Sequence, residues 1–205
     1  NVLWDKTIGS TQIDHILSLL ETSDGGYLLG GFSFSKEGGD KTAPSYGFWD
    51  YWLVKLDSER NIEWDRSYGG TSSDHLISLQ EMKSGGYLLG GFSSSDSNGN
   101  KMEPNRGIFD YWILQIDASG NKIWEKSFGG ASSEEMRAGV QYTNDGNLIL
   151  GGFSQSGISG EKSEINRGKD DYWLIKTDPT GQMLWDKTLG GSGTEFLYSI
   201  VPTDD

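Results

Sequence analysis

The sequence of 205 residues contains no cysteine and only four prolines, and it has no run of about 18 apolar residues. The lack of cysteine excludes disulfide bonds and thiolate metal sites, but it leaves the compartment open because secreted proteins need not contain disulfides. Without a long apolar run, no transmembrane helix is predicted. The first residues also lack the basic-then-apolar pattern of a signal peptide, so we expect any export signal to have been removed.

Basic residues are few. The chain has 17 lysines and arginines against 30 aspartates and glutamates, which gives a formal net charge of −13. The basic residues are scattered along the chain, whereas binding to phosphates needs a basic patch, so we expect no nucleic-acid partner. The acidity favours solubility.

Tryptophan marks an internal repeat that fills the chain. Equivalent tryptophans lie at intervals of 60, 60 and 61 residues: Trp4, Trp64, Trp124 and Trp185. They divide the chain into the end of a preceding unit (1–3), repeat 1 (4–63), repeat 2 (64–123), repeat 3 (124–184) and a partial repeat 4 (185–205). A residue that recurs in every copy more often holds the unit together than performs chemistry, since a catalytic group is normally needed once.

Repeat 2 shows the strand pattern of one unit. Alternating or β-rich apolar segments, separated by turn residues, predict strands at 75–81, 87–92, 110–116 and 123–128. Four antiparallel strands joined as a meander and repeated indicate an all-β fold, a β-propeller-like array of four-stranded antiparallel blades. A parallel β-solenoid is the rival architecture, although its repeats are usually shorter. Paired glycines inside each second strand predict a close approach by a neighbouring backbone or ring: Gly30-Gly31, Gly90-Gly91 and Gly151-Gly152.

Long polar loops follow the second strand of each copy, at 33–49, 93–109 and 154–170. In a meander these loops emerge on the same side as the connections between blades, at 9–14, 69–74 and 129–134. Function concentrates on long loops carried by a rigid scaffold, so this long-loop face is where we expect a protein or carbohydrate partner. A closed propeller has about 4–8 blades, so we expect an incomplete segment of a larger propeller, whose open sheet edge is covered by further blades or another chain.

Two turn motifs resemble those of known propellers. The string Asp-x-x-Gly-Asn/Gln-x-x-Trp, at 117–124 and 178–185, resembles the tryptophan-docking turn of quinoprotein-type propellers, shortened by one residue. The segment Thr-Ser-Asp-Gly-Gly-Tyr at 22–27 is similar to the Asp-box turn of sialidase-type propellers. It departs from that motif because the tryptophan of the motif is replaced, and the second copy departs further because it has Lys83-Ser84. Such turns imply a structural likeness to these propellers, but they imply neither the quinoprotein nor the sialidase enzyme family.

A wider resemblance covers the entire chain. Its motifs are Gly-Gly-Tyr-Leu-Leu-Gly-Gly-Phe-Ser (85–93), Gly-x-Lys-x-Glu-x-Asn-Arg-Gly (160–168), Asp-Tyr-Trp-Leu-x-Lys (171–176) and Trp-Asp-Lys-Thr-x-Gly-Gly (185–191). In this succession they resemble the tandem repeats of large secreted and cell-surface proteins of Bacteroidota, many of which carry a C-terminal sorting domain for type IX secretion. The resemblance implies an extracellular, propeller-like repeat region within a longer polypeptide. No sorting domain is visible in this sequence.

The two histidines are candidates for a metal site. His15 and His75 occupy the same repeat position, and each follows an aspartate. On the innermost strands they could converge and share a divalent metal ion. The third and fourth copies place Met136 and Phe196 there, which favours an ordinary half-buried strand position instead.

A second candidate metal site lies in the long loop of the second copy. Asp96, Asn98 and Asn100 offer oxygen atoms at alternate positions around a glycine, as at the start of a calcium loop. The closing bidentate glutamate is missing, and the other copies do not reproduce the pattern. A solvated, Asx-rich turn is therefore the favoured interpretation, with Ca²⁺ as the alternative.

Further long-loop residues are candidates for ligand contact. A recurring polar set could form a rim that binds a sugar or peptide, although its recurrence favours a network internal to the loops: Lys101, Asn105, Arg106, Lys162, Asn166 and Arg167. Aromatic side chains near this face could stack on sugar rings or pack beneath the loops: Tyr46, Phe48, Trp49 and Phe109. The aspartates before each Tyr-Trp pair are expected to accept loop N–H groups and to fix the start of the third strand: Asp50, Asp110 and Asp171.

Common catalytic motifs are absent from the sequence: it has no cysteine nucleophile, Gly-x-Ser-x-Gly elbow, phosphate-cradling loop or His-Glu-x-x-His pair. We therefore expect a non-enzymatic extracellular or cell-surface scaffold that binds a protein or glycan partner. One alternative is a propeller enzyme, a glycan hydrolase or a quinoprotein-like oxidoreductase, whose active site lies largely outside this segment. Another is type IX secretion cargo whose repeats have no ligand.

Overall fold

The computed structural model describes residues 1–201 and 203, and β-strands are the regular elements found in them. The strands of the first copy are β1 (Asp14–Glu21), β2 (Tyr27–Ser33), β3 (Asp50–Leu56) and β4 (Ile62–Tyr68). Those of the second copy are β5 (Asp74–Glu81), β6 (Tyr87–Ser93), β7 (Asp110–Ile116) and β8 (Lys122–Phe128). Those of the third copy are β9 (Glu134–Tyr142), β10 (Leu148–Ser154), β11 (Asp171–Thr177) and β12 (Met183–Leu189).

The strands form three separate antiparallel sheets, each with its strands in chain order. Sheet 1 contains β1–β4, sheet 2 contains β5–β8 and sheet 3 contains β9–β12. This confirms the predicted all-β fold with four-stranded meander blades, and the strand bounds predicted for the second copy agree within one residue at each end. The units counted from tryptophan to tryptophan are offset from the sheets by one strand, because Trp64, Trp124 and Trp185 lie in the fourth strands β4, β8 and β12, whereas Trp4 precedes β1.

Neighbouring sheets pack face to face, in the manner of propeller blades. One apolar cluster between sheets 1 and 2 includes Leu53, Leu76 and Trp112, and a second between sheets 2 and 3 includes Ile113 and Trp173. A buried tyrosine crosses each interface: the Tyr51 hydroxyl donates to the Trp112 carbonyl and the Tyr111 hydroxyl to the Trp173 carbonyl, both at 3.0 Å. The two interfaces therefore repeat the same chemistry, as tandem repeats predict.

The paired glycines mark close approaches, as the sequence predicted. A Cβ on Gly90 would lie 2.8 Å from a methyl group of Val140 in the next sheet. A Cβ on Gly91 would lie 2.0 Å from the His75 carbonyl oxygen on the paired strand, where β5 carries a bulge. The first glycine thus lets the sheets approach, and the second accommodates the bulge.

The third copy is one residue longer because its first strand contains the extra residue. The register of β9 against β10 shifts between Gly151 and Phe153, and Gly139 in β9 has a φ of 78°, which glycine adopts readily. Beyond this point the packing returns to the pattern of the other copies: the Val140 amide donates to Ser78 Oγ as the Leu79 amide donates to Ser18 Oγ. The insertion is therefore absorbed within one bulge.

The two outer sheets differ in how their faces are covered. On sheet 1, Ile16 and Leu19 are 45% and 63% exposed, whereas the equivalent Leu76 and Leu79 are buried against sheet 1. On sheet 3, Leu197 packs against Gly151. It takes the place that Leu76 has against Gly30 of sheet 1 and that Val140 has against Gly90 of sheet 2. Sheet 1 consequently presents an uncovered apolar face. In the part of the chain that the structure describes, no helix is long and apolar enough to cross a membrane.

Candidate functional site

The long loops pack along the blade-to-blade connections and form one face with them, as predicted. The Trp49 and Phe109 positions make parallel bridges to Ser73 and Ser133, and the Asn100 amide donates to the Gly69 carbonyl at 3.0 Å. The long-loop face is therefore a continuous surface built from all three copies.

A buried lysine holds each long loop together. Lys41, Lys101 and Lys162 are each 1% exposed. The Lys101 ammonium donates to the Glu103 carbonyl of its own loop. Burial lowers the pKa of Lys101, while the negative charges of nearby carboxylates, Asp74 first, oppose that shift. Lys101 and Lys162 therefore do not form an accessible polar rim, because both ammonium groups lie inside their loops and donate to loop carbonyls.

The aspartates before each Tyr-Trp pair fix the ends of the loops, as predicted. One carboxylate oxygen of Asp110 accepts the Arg106 amide at 2.9 Å. Asp50 and Asp171 accept the amides of Tyr46 and Arg167 in the same way. The side chain of Asp110 is fully buried, and this burial raises its pKa to about 6.

A second set of acids, which the sequence analysis missed, joins each loop to its own sheet. Asp65 Oδ2 accepts the Trp52 indole N–H and the Ala43 amide, both at 2.9 Å. Equivalent bonds run from Trp112 to Glu125 and from Trp173 to Asp186. The available signal was an acid directly after the tryptophan of every fourth strand.

The side-chain amides of the long loops bind backbone groups. Asn105 Nδ2 donates to the Gly107 carbonyl at 2.7 Å, and Asn166 Nδ2 donates to the Ser154 carbonyl at 2.7 Å. These contacts belong to a network internal to the loops, which is the interpretation that the recurrence of these residues favoured. Arg167 Nη1 likewise donates to the Thr188 carbonyl at 2.9 Å.

The predicted calcium segment folds as an Asx-rich turn. Asn98 Oδ1 accepts the Thr71 amide at 2.6 Å, and Asn100 Oδ1 accepts the Gly69 amide at 2.9 Å. Asp96 Oδ1 accepts the amide of the next residue at 2.8 Å. The three oxygens therefore accept hydrogen bonds from different backbone groups. This arrangement is the Asx-rich turn that the sequence favoured over a calcium site.

The two histidines are separated by an aromatic ring. Phe32 lies between them, with its centroid 4.8 Å from the His15 ring and 4.4 Å from the stacked His75 ring. Among residues 1–201 and 203, no group of three or more His, Asp or Glu side chains could hold a metal ion. The register also corrects the assignment of Met136: Glu135 pairs with Phe153 as His75 pairs with Phe92, and Met136 is the counterpart of Leu76.

His75 is half-buried in this aromatic cluster. Its ring also contacts Phe92 at 4.9 Å and Phe109 at 6.2 Å, and its Nε2 is buried without a hydrogen-bond partner. Burial, followed by the positive charge of Arg137, lowers the pKa of His75 to about 4. Trp49 packs in the same cluster, so Trp49 and Phe109 are half-buried against aromatic rings of the strands.

Large apolar side chains project from all three long loops. They are 61–72% exposed: Phe48, Met102, Ile108, Ile158 and Ile165. Monomeric proteins do expose single apolar side chains, but these lie on a face whose backbone is anchored at several points. The long-loop face thus combines fixed geometry with apolar contact groups.

Two equivalent clefts lie between neighbouring sheets. Cleft 1 lies between sheets 1 and 2 and has a volume of about 420 Å³; its lining includes Tyr46, Arg66, Ser67, Asn100 and Asn121. Cleft 2 lies between sheets 2 and 3 and has a volume of about 230 Å³; its lining includes Arg106, Lys126, Ser127, Glu161 and Gln182. In cleft 2 an ion pair joins Arg106 to Glu161 at 2.6 Å.

The fold and its anchored loops define a repeated all-β protein with propeller-like blades. No protein-family model matches the chain. The chain is 26% identical over 175 residues to a protein of Caulobacter vibrioides named regulatory protein FlaEY. The alignment covers 77% of this chain and 17% of FlaEY, so the chain spans less than a fifth of that relative's length.

Proposed function

We propose that this chain is a non-enzymatic, extracellular or cell-surface binding module, whose blades are a scaffold and whose long-loop face contacts a protein or glycan partner. The observation that carries the proposal is the set of exposed apolar side chains on all three anchored loops. The extracellular location and a type IX secretion route rest on the resemblance of the repeats to those of Bacteroidota surface proteins.

Anchoring of the loops favours binding at this face. A loop that is already ordered loses little conformational entropy when a partner binds, so more of the contact energy appears as affinity. The buried lysine, the aspartate before the third strand and the acid of the fourth strand each hold the loop of their own copy.

The apolar face of sheet 1 supports a second contact. Ile16 and Leu19 are exposed at positions whose counterparts are buried between blades. We propose that another blade, from the same polypeptide or from another chain, covers this face. In ultracentrifugation, replacement of Ile16 and Leu19 by serine should abolish any self-association of the isolated chain. Self-association unchanged by these substitutions would argue against this contact.

The binding proposal can be tested with fluorescently labelled protein on intact cells of the source organism. The variant F48S/I108S/I165S removes one exposed apolar side chain from each loop and should reduce cell binding by about tenfold, which corresponds to about 1.4 kcal/mol. The matched control is I123S/L184S, which removes apolar side chains of similar exposure (56% and 52%) from the fourth strands. Equal binding by the loop variant and the wild type would refute the proposal.

A further inference from the structure

Clefts 1 and 2 occupy equivalent places in the repeat but differ in chemistry. In cleft 2, Arg106 Nη2 lies 2.6 Å from Glu161 Oε1, so an ion pair crosses the cleft. The equivalent residues of cleft 1 are Tyr46 and Asn100, which carry no charge. Cleft 1 has the larger volume, about 420 Å³ against about 230 Å³, and the Tyr46 side chain lies where cleft 2 carries the ion-paired Arg106.

The difference is confined to side chains, because both clefts share one backbone scaffold. The Gly69 amide donates to Asn100 Oδ1 at 2.9 Å, and the Gly129 amide donates to Glu161 Oε2 at 3.2 Å. Asparagine and glutamate thus perform the same structural task at this position. The fold therefore does not require the change from Arg106 and Glu161 in cleft 2 to Tyr46 and Asn100 in cleft 1. Such a difference between equivalent sites is expected when one copy of a repeat binds a ligand and the other does not.

Cleft 1 retains unused hydrogen-bonding capacity. Arg66 donates to the carbonyls of Asp65 and Ser119, which leaves other N–H groups of its guanidinium available. Ser67 is buried and its hydroxyl has no hydrogen-bond partner, but the same holds for the equivalent Ser127 of cleft 2, so this serine does not distinguish the two clefts. Asn121, an exposed residue of the turn that also lines the cleft, donates from Nδ2 to Asp117 Oδ2 at 2.8 Å, which leaves its Oδ1 and its second N–H available. These groups surround a volume at the lower end of the range of about 300–1,000 Å³ that small-ligand sites occupy.

These features select a neutral, hydroxyl-rich ring as the ligand. A tyrosine ring offers an apolar surface that suits the C–H face of a sugar, while the arginine and the asparagine amide match its hydroxyls. The net charge of −13 opposes the approach of an anionic ligand. We propose that cleft 1 binds a neutral pyranose unit of a glycan, with the sugar ring on Tyr46 and its hydroxyls bonded to Arg66 and Asn121.

This inference rests on the proposed binding function and adds a site and a ligand class to it. The test is calorimetric titration of the folded chain with neutral hexasaccharides of glucose, mannose, galactose and xylose, and with a hexamer of galacturonate. The variant Y46R/N100E installs in cleft 1 the ion pair that cleft 2 already contains. The reciprocal variant R106Y/E161N removes that ion pair from cleft 2 and serves as the matched control.

We expect the wild type to bind at least one neutral hexasaccharide, Y46R/N100E to lose at least tenfold in affinity, and R106Y/E161N to bind it undiminished. If Y46R/N100E fails to fold, Tyr46→Ala must show the same loss in a chain with a wild-type circular dichroism spectrum. Binding of galacturonate alone, binding that survives in the cleft 1 variants, or no binding to any saccharide would overturn the assignment. In the last case, cell binding that depends on Phe48, Ile108 and Ile165 would leave the proposed function standing.

Discussion

Replacement of His75 by phenylalanine should make the protein more resistant to acid. The imidazole is stacked on Phe32, and its Nε2 is buried without a partner. Burial and Arg137 lower its pKa from 6.5 to about 4. Since the unfolded state then binds more protons between about pH 4 and 6.5, the contribution of His75 to stability falls as the pH drops through that window. Phenylalanine, which the fourth copy carries at this position, removes the effect.

The size of this change in stability follows from the shift in the pKa of His75. One pKa unit corresponds to about 1.4 kcal/mol, so the His75 contribution falls by about 2 kcal/mol between pH 7 and 4.5. Asp74 and Asp110 act in the opposite direction, because burial raises their pKa values to about 6 and their contribution is lost as the pH rises from about 4 through 6. Since the two aspartates together outweigh the one histidine, the effect of His75 must be measured as the difference in the free energy of unfolding between the variant and the wild type at each pH.

The assay is urea unfolding of the wild type and His75→Phe at pH 7 and pH 4.5. The stability of the variant relative to the wild type should rise by about 2 kcal/mol at the lower pH. His15→Phe, at the equivalent exposed position, is the control. Its stability relative to the wild type should change less between the two pH values than that of His75→Phe. The reasoning would be refuted if the difference between His75→Phe and the wild type were the same at both pH values.

Two substitutions test other parts of the fold. Asp110→Ala removes the acceptor of the Arg106 amide, and should lower the free energy of unfolding by about 1–3 kcal/mol; an unchanged melting temperature would show that this bond does not hold the loop. Gly91→Ala places a Cβ 2.0 Å from the His75 carbonyl oxygen, and should cost about 3 kcal/mol or more. Gly157→Ala, where a Cβ meets nothing within 4 Å, is its control, and similar melting temperatures for the two variants would contradict the packing described.

The strands could be predicted from the sequence because each has a clear pattern of its own. Segments such as β7, Asp110–Ile116, are rich in aromatic and β-branched residues and are bounded by turn residues. The order of strands could be predicted because consecutive strands usually pair, both across the short turns and across the long loop between the second and third strands of each copy. The paired glycines likewise indicated close packing without showing which atoms approach.

The candidate site was harder to predict because its properties depend on neighbours that are distant in the sequence. His15 and His75 share a local sequence, yet only His75 lies between two sheets. Lysine is usually exposed, so nothing in the sequence indicated that Lys101 lies inside its loop. The contrast between clefts 1 and 2 involves Tyr46 and Asn100, which the sequence analysis did not place together.

The most direct test of the long-loop face as the binding surface is hydrogen–deuterium exchange with and without a cell-surface extract from the source organism. The account predicts slower exchange in the loops at 33–49, 93–109 and 154–170 when the extract is present. Protection confined to β1 would place the contact on the uncovered face of sheet 1 and contradict a long-loop partner surface. Unchanged exchange throughout the chain would contradict a binding function for these blades.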